Sequence, residues 1–437
     1  MIDSSRETPE DSSYRAKCRD FRNRTKMHQP IKVAHLSDTP SGGAAVAANR
    51  LARALTEHDE LQVERWIFGR SKVAGLPIKQ VALEKDRPKT FFERVLRIFS
   101  RTAAKHLQKR RQREALVTAL AEFRPHILHL HNLHASALRH EDLAMIPPDV
   151  RLVWTMHDCW PLAPWAYRWK NESGNYEIQG AELRPQNEAL AARRRLFAAR
   201  KDALFVSPSH WLADEVKRNL GDRLRLEVIP NGVPTDIFAP TDKAKAKSDL
   251  GLNPSKTWIG LSAASFDCRK GADILMEALR LIQRNDLGIL MWGNSRGIIA
   301  PENVSLFAAG YEADERRHAL LYSACDLFVC PSRIDNFPNT VLESMACGTP
   351  VVGSSVGGIP EMVHPGETGW LYEPNTAEAC TGSLREALQS QAAWTAYGQR
   401  CRETVEAQLT PGQQAARYIS LYLEVLGLDP GTSKTSP

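Results

Sequence analysis

Short apolar runs alternate with longer stretches in which apolar positions recur at helical spacing. The first run is Ile31–Ser37 (IKVAHLS), followed by an Ala-rich helical pattern from Gly43 to about Glu57. Further strand-like runs are His126–His131, Leu152–His157, Leu204–Ser209 and Leu226–Asn231. A second series comprises Trp258–Ala263, Leu287–Gly293, Val304–Gly310, Leu327–Pro331, Pro350–Gly353 and Gly369–Tyr372. Strand, helix, strand at this spacing predicts parallel sheets with helices on both faces. Between the series, residues 230–256 carry Pro230, Pro234, Pro240 and Pro254, two glycines and alternating lysines without periodic core, and read as a linker. The expected fold class is therefore α/β, with two Rossmann-like doubly wound domains facing each other across a deep cleft. The expected boundaries are a polar tail 1–30, a first domain 31–235 and a second domain 236–409. A helix at 410–428 is expected to pack back towards the first domain, followed by a flexible tail 429–437. Ligands in such folds sit at the carboxyl ends of the strands, so the cleft is where chemistry is expected.

Size agrees with two domains: the chain has 437 residues. With 43% hydrophobic and 25% charged residues it has the composition of a soluble globular protein. No apolar stretch reaches the eighteen or so residues of a spanning helix. The polar N-terminus lacks the apolar segment of a signal peptide, so secretion and membrane spanning are disfavoured and a cytoplasmic setting is expected. The eight cysteines include no C-x-x-C pair, which removes the common zinc and thiol-redox motifs and leaves reduced thiols as the expectation. A net charge of +6 suits anionic ligands or membrane surfaces but falls short of a nucleic-acid signature.

The most informative stretch is Leu327–Glu361 (LFVCPSRIDNFPNTVLESMACGTPVVGSSVGGIPE). A strand ends near Pro331–Ser332, and a polar loop holds Asp335 and Asn336. Pro338 suits the first turn of a helix whose buried stripe is Val341, Leu342, Met345 and Ala346. Asp335 thus stands at the helix entrance and Glu343 about a turn and a half inside it. The helix N-terminus between them offers free N–H groups and a positive dipole end, which suits a phosphate. The plain alternative makes Asp335 a cap and Glu343 a surface residue. The flanking Leu342, Met345 and Ala346 are too apolar for a casual surface glutamate.

This stretch resembles the sugar-nucleotide signature of the retaining glycosyltransferases of family 4, which have the glycosyltransferase-B fold. Their pattern is an acidic residue, seven others, then a glutamate followed by AMACGxPVV. Asp335 stands at the first position, where glutamate is usual, and Glu343 at the second, with Ser344 for the usual alanine. The resemblance implies that Asp335 positions hydroxyls of the donor sugar and that Glu343 accepts hydrogen bonds from the ribose diol. Asn336 then belongs to the same donor-binding loop. Other family pieces fall in order over roughly residues 31 to 425.

In SFDCRKGADILMEAL, Arg269 and Lys270 stand before Gly271, which opens an amphipathic helix. Two cations beside a helix N-terminus suit a diphosphate leaving group, on which charge builds as the glycosidic bond breaks. By resemblance, Lys270 and an arginine five residues upstream hold the donor diphosphate. The upstream position is Ser265, so Arg269 is the candidate for the missing charge. Gly42–Gly43, between a strand and a helix, lets backbone approach a ligand closely, although many such pairs are plain turns. It resembles the family's glycine loop facing the diphosphate. The absence of G-x-G-x-x-G disfavours a nicotinamide dehydrogenase.

In VWTMHDCWPLAPWAYRWK, His157 and Asp158 end a strand at the expected cleft rim, and the resemblance places His157 near the transferred sugar. Trp154 reads as core, while Trp160 and Trp165 are open between core and a stacking platform for an acceptor sugar. His129, His131 and His134 in HLHNLH mimic a metal cluster, but no carboxylate with ligand spacing joins them, and they read as structural or cleft-lining. No metal site is expected. Residues Arg87 to Arg113 hold ten basic residues and one acidic one. Either they form a solvated helix face or they rest on anionic lipid at the inner face of a membrane.

The expectation is a metal-independent retaining transferase with Asp335, Lys270 and His157 as catalytic residues. It takes a nucleotide diphosphate sugar as co-substrate, has no cofactor and no nucleic-acid partner, and uses a saccharide or lipid-linked acceptor in surface polysaccharide assembly. Two alternatives stay open: a sugar-nucleotide epimerase of the same fold, and a non-catalytic nucleotide- or glycan-binding relative.

Overall fold

A computed structural model describes residues 29–68, 76, 78–83, 101–134, 140–161, 163, 166–170, 176–179, 186–220, 224–263, 268–294 and 297–428. The two terminal tails beyond these limits, residues 87–100 of the basic segment, Trp165 and Ser265 lie outside the described residues.

The first sheet is parallel throughout and has seven strands in the order β3-β2-β1-β4-β5-β8-β9. These are β1 Ile31–Ser37, β2 Leu61–Ile67, β3 Lys79–Ala82, β4 Ile127–Leu130, β5 Arg151–Thr155, β8 Leu204–Ser207 and β9 Arg225–Val228. A hairpin of β6 (Tyr167–Lys170) and β7 (Tyr176–Gln179) stands apart from it. Alternation along each strand serves both faces. Leu36, Leu128, Leu130, Trp154 and Phe205 pack under α2 (Arg101–Phe123) and α3 (Gln186–Ala199). Val33, Ile127, Val153 and Val206 pack on the other face, under α1 (Gly43–Leu55) and a helix from the far end of the chain. Helix α4 (His210–Leu220) follows β8.

The runs Leu61–Ile67 and Lys79–Ala82 are strands that the apolar pattern did not announce. Strand β2 reads LQVERWI, and its paired charges break the pattern. Both are buried and compensated. Glu64 accepts from the Trp66 indole N–H at 2.8 Å and from Lys79 at 2.6 Å. The Arg65 guanidinium donates to Ser37, to the Asn49 side chain and to the carbonyls of His35 and Trp66.

The second sheet has six parallel strands in the order β12-β11-β10-β13-β14-β15. They are β10 Thr257–Ala263, β11 Leu287–Gly293, β12 Ser305–Gly310, β13 Leu327–Cys330, β14 Val351–Ser354 and β15 Gly369–Tyr372. Their helices are α6 (Ala272–Ile282), α7 (Glu315–Ala324), α8 (Asn339–Ala346), α9 (Ala377–Gln389) and α10 (Trp394–Gln408). The final helix α11 (Pro411–Val425) crosses back, and its Tyr418, Ile419 and Tyr422 join the apolar face of the first sheet. Thr410 and Gln413 form its capping box.

The stretch at 230–256 is not a bare linker, and the expectation is corrected there. Val233 and Phe238 are fully buried in the core of the second sheet, together with Leu250 and Leu252. Helix α5 (Lys243–Asp249) is capped by Asp242 and pins Lys247 to Asp326 at 2.8 Å. Arg402 donates to the carbonyls of Thr235, Phe238 and Ala346. Apolar residues spaced by prolines carry no period, which is why the pattern concealed them.

Phe238→Ala should therefore lower the unfolding free energy by about 3–5 kcal/mol, the usual cost of emptying a buried aromatic site. Denaturant unfolding measures this. A change below about 0.5 kcal/mol, as expected for an exposed site, would mean that the segment is a linker after all.

Candidate active site

Both sheets turn their carboxyl edges to one cleft, and of the residues singled out in the sequence Gly43, His157, Arg269, Lys270, Asp335, Asn336 and Glu343 gather there. Strand β13 ends at Cys330, and the loop to α8 carries Ser332, Asp335 and Asn336. Opposite it, a 3₁₀ turn (Cys268–Lys270) leads into α6. Gly271 between them has φ +65°, and a Cβ there would stand 1.9 Å from the carbonyl oxygen of Pro331. Only glycine lets the cationic turn lie this close to the β13 loop.

Lys270 and Arg269 point the same way. Lys270 Nζ lies 2.6 Å from Asp335 Oδ2, and Arg269 Nη1 lies 3.4 Å from the same oxygen. Arg269 also donates to the Ile334 carbonyl, and its guanidinium stacks 4.4 Å over the Tyr167 ring. The other carboxylate oxygen of Asp335 accepts from the Asn336 backbone N–H. Burial alone would raise the Asp335 pKa; Lys270, then Arg269, outweigh it and hold the group below its usual value. Asp335 is an ionised anchor for two cations. Cys268, which opens the cationic turn, is exposed.

Asn336 binds the two sheets together. Its side-chain N–H₂ donates to the carbonyls of Met156 and His157, and its Oδ1 accepts from the Ser209 hydroxyl at 2.5 Å. The loop after β14 closes over it. A Cβ on Gly357 (φ +59°) would stand 1.7 Å from the Asp335 carbonyl oxygen, and one on Gly358 would stand 1.9 Å from that of Asn336. Three residues on, Glu361 crosses to the first sheet and accepts from the backbone N–H groups of His210 and Trp211, at the N-terminus of α4. An anion there is favoured by the dipole.

Glu343 is buried and bound on both oxygens. Oε1 accepts from Arg50 Nη2 at 2.7 Å and Oε2 from the Tyr322 hydroxyl at 2.9 Å. Arg50 comes from α1 across the cleft, also pairs with Glu315 at 2.8 Å, and lies 5.0 Å over the Phe238 ring. Burial opposes its charge, but Glu343 and Glu315 more than restore it. The signal for Arg50 was an arginine inside the buried Ala-rich stripe of α1. Near the start of that helix, Gly42 has φ +93°, and Gly43 offers its carbonyl to Asn339 Nδ2 at 2.9 Å. A Cβ at either glycine would meet nothing within 4 Å, so backbone conformation, rather than crowding, calls for glycine at 42.

The histidines form a cluster larger than HLHNLH. His157, in the loop past β5, places Nε2 3.1 Å from His131 Nδ1, and His131 Nε2 lies 3.0 Å from His35 Nδ1. His129 bonds Tyr422 through Nδ1 and Thr155 through Nε2. His35, Tyr418 and Tyr422 were not singled out in the sequence. The available signals were His35 on the same strand face as Val33, and tyrosines four apart on one face of α11. His134 stands apart, 2.8 Å from Asp158. Burial, then the surrounding imidazoles and the Arg65 guanidinium, put His129 and His131 well below the usual 6.5, and burial with Arg65 does so for His35. Burial takes His157 down to about 4.

Ligand nitrogens of His35, His129 and His131 lie within 4.8 Å of one another, a spacing that suits a cation. The chemistry does not. All six ring nitrogens already have hydrogen-bond partners, no carboxylate or thiolate joins the group among the described residues, and Arg65 adds positive charge beside it.

Trp160, left open in the sequence between core and a stacking platform, is buried in the core. It is buried beside Trp154, its ring faces His134, and Arg193 both stacks on it and donates to its carbonyl. In the described half of the basic segment, Lys109 and Arg113 turn to the buried Asp142, so part of its charge holds α2 to the turn His140–Met145. Arg110 is exposed and pairs with Glu114.

Comparison with known proteins gives two family matches: "Glycosyltransferase Family 4" over residues 41–237 and "Glycosyl transferases group 1" over residues 243–404. D-inositol 3-phosphate glycosyltransferase of Mycobacterium sp. (strain KMS) is 30% identical over 234 residues, 50% of this chain and 52% of that protein. The match thus spans about half the length of that relative. Alpha-maltose-1-phosphate synthase of Mycobacterium tuberculosis is 29% identical over 65% of this chain and 74% of its own length. Among solved structures, sucrose-phosphate synthase from Thermosynechococcus elongatus superposes with a TM-score of 0.69 at 20% identity, covering 91% of this chain and 99% of that one. Anabaena Alr3699/HepE in complex with UDP-glucose gives 0.64 at 17% identity, covering 90% of this chain and 100% of that one.

The buried histidines make stability sensitive to mild acid. Unfolded imidazoles take up protons below about pH 6.5, whereas these folded ones do not. Their contribution is therefore complete above that pH and is lost as pH falls towards the folded values. Between pH 7.5 and 5.0 the unfolding free energy should drop by roughly 2 kcal/mol per ring. Urea titrations at the two pH values read the change, and a flat response would show that the rings titrate in the folded protein as they do in the unfolded chain.

Proposed function

The chain belongs to the family 4, or group 1, glycosyltransferases, and from that membership we propose that it moves a sugar from a nucleotide diphosphate sugar to a saccharide or lipid-linked acceptor. Transfer proceeds with retention at the anomeric carbon, in the assembly of a surface polysaccharide. The observation that carries this reading is the convergence of Lys270 and Arg269 on Asp335 at the edge of the second sheet. Two cations are thereby oriented and partly desolvated before the donor arrives. As the glycosidic bond breaks, negative charge builds on the leaving diphosphate, and preorganised cations in a water-poor cleft stabilise that charge most. Lys270 and Arg269 supply this charge, so no metal or cofactor is needed beyond the co-substrate.

Asp335 keeps Lys270 in place and lies where donor sugar hydroxyls arrive. Gly42–Gly43 brings backbone to the diphosphate from the opposite side, and Asn336 closes the loop around the donor. Glu343 accepts the ribose diol on oxygen lone pairs that Arg50 and Tyr322 leave available. His157 lies beside the transferred sugar. No helix among the described residues is long and apolar enough to cross a membrane. The proposed setting is the cytoplasm, with contact at the inner membrane face through the basic segment. On that reading Arg110→Glu should weaken binding to anionic vesicles, steeply so at low salt. Unchanged vesicle binding removes the membrane contact.

Lys270→Met should lower kcat by about 10²–10³, the scale of losing one preorganised donor to a developing anion. For Glu343 the informative change is glutamine, which removes the charge but keeps the side-chain volume and an oxygen acceptor for Arg50, whereas alanine would also open a cavity and drop that contact. Glu343→Gln should raise KM and weaken binding of the free nucleoside diphosphate, since the ribose is unchanged by the reaction. Asp335→Asn should lower kcat with nucleotide binding nearly intact. Titration calorimetry, with UDP as the first nucleotide because Anabaena Alr3699/HepE was solved with UDP-glucose, decides between them. The inverted pattern would reverse both assignments, and absence of sugar transfer across a donor and acceptor screen would overturn the proposal.

A further inference from the structure

Seven groups form one unbranched hydrogen-bonded chain from the cleft into the apolar face of the first sheet. His157 Nε2 meets His131 Nδ1 at 3.1 Å, and His131 Nε2 meets His35 Nδ1 at 3.0 Å. His35 Nε2 meets the Tyr422 hydroxyl at 3.5 Å, which meets His129 Nδ1 at 2.6 Å. His129 Nε2 meets the Thr155 hydroxyl at 2.7 Å, and that meets the Tyr418 hydroxyl at 2.7 Å. His35 and His129 are register partners on adjacent strands, so the backbone itself brings them together.

A count of hydrogens gives the chain a direction. Each neutral imidazole carries one N–H and each hydroxyl one O–H, so seven hydrogens serve six links and one is left over, at an end or on an internal hydroxyl that accepts from both sides. Tyr418 is fully buried, and among the described residues its hydroxyl meets only Thr155. Leaving the surplus hydrogen there, or on the equally buried Thr155 or Tyr422 hydroxyl, would strand a buried donor, at a cost of about 1–3 kcal/mol. His157 lies at the cleft, and the chain does not engage its Nδ1. The low-cost arrangement runs from Tyr418 through Thr155, His129, Tyr422, His35 and His131, every donor pointing towards His157.

We propose that this buried chain fixes His157 as an Nδ1–H tautomer, a hydrogen-bond donor to an oxygen of the transferred sugar and not a base. His131, His35 and Tyr422 are then positioning residues that act through His157. The contact with sugar rests on the transferase reading above; the tautomer does not. Neutral rings are required, and burial together with Arg65 keeps these four uncharged at neutral pH.

Long-range ¹⁵N–¹H spectra of histidine-labelled protein read the tautomer directly and need no substrate. His157 should show a protonated Nδ1 and an acceptor Nε2. An Nε2–H or cationic ring in the wild type would overturn the proposal, even if sugar transfer is established. His131→Leu removes the donor to His157 Nε2. Its single Nδ1–H form should be lost and kcat should fall about tenfold, the scale of one hydrogen bond, with nucleoside diphosphate affinity unchanged. His131→Asn places an amide N–H close to the position of the imidazole Nδ1–H and should restore both tautomer and kcat. Equal behaviour of the Leu and Asn variants, or retention of the tautomer in His131→Leu, would show that the chain does not set it. If the spectra are as expected and no transfer occurs with any donor, the chain stands and the transferase reading falls.

Discussion

The arrangement of the cleft depends on one carboxamide. Asn336 belongs to the second sheet, yet its side chain uses its polar atoms on Met156, His157 and Ser209 of the first. Its neighbour Asp335 is therefore held at a fixed distance from the opposite domain, and with it Lys270 and Arg269. The glycines at 357 and 358 and the Pro331 contact of Gly271 permit this closeness, because side chains there would collide with backbone oxygen. A site built this way has little freedom to drift, since the atoms that place the charges are mostly backbone atoms at van der Waals limits.

Charge is taken out of water repeatedly in this protein, and each time several partners compensate for it. Arg65 serves the inside of the first sheet, Arg50 joins Glu343 and Glu315 across the cleft, and Asp335 gathers two cations. Buried ion pairs add little to stability when desolvation is counted, and they give definition instead. Here the definition falls at the cleft. The pairing of Arg50 with Glu343 means that the two domains recognise each other through a residue proposed to recognise the donor, so domain approach and donor binding share one carboxylate.

Legibility in the sequence followed the kind of force involved. Strands buried on both faces, such as Leu287–Gly293 and Leu327–Cys330, are apolar runs and could be read almost to the residue. The α8 region could be read because a proline, an apolar stripe and a glycine punctuate it. Strand β2 could not, since Glu64 and Arg65 are buried through contacts with residues distant in sequence. The segment around Phe238 was misread for a similar reason: its packing partners come from α7 and the strands of the second sheet. In the site, Lys270, Asp335 and Glu343 lie within recognisable local patterns. Arg50, Tyr418 and Tyr422 matter only through what folding brings beside them, and a side chain whose partner is hundreds of residues away leaves no local trace.

The cysteines carry a practical consequence. Cys325, Cys330, Cys347, Cys380 and Cys401 are buried, and burial pushes their thiols up, away from the reactive thiolate. Cys159 is raised in the same way. Cys268 is the exposed thiol among the described cysteines, and it stands two residues before Lys270. Among the described cysteines, alkylating or oxidising reagents will therefore attack first at the cationic turn. With Cys18, which lies outside the described residues, replaced by serine, a fluorophore on Cys268 would sit beside that turn, giving an optical reporter of cleft occupancy that requires no added cysteine.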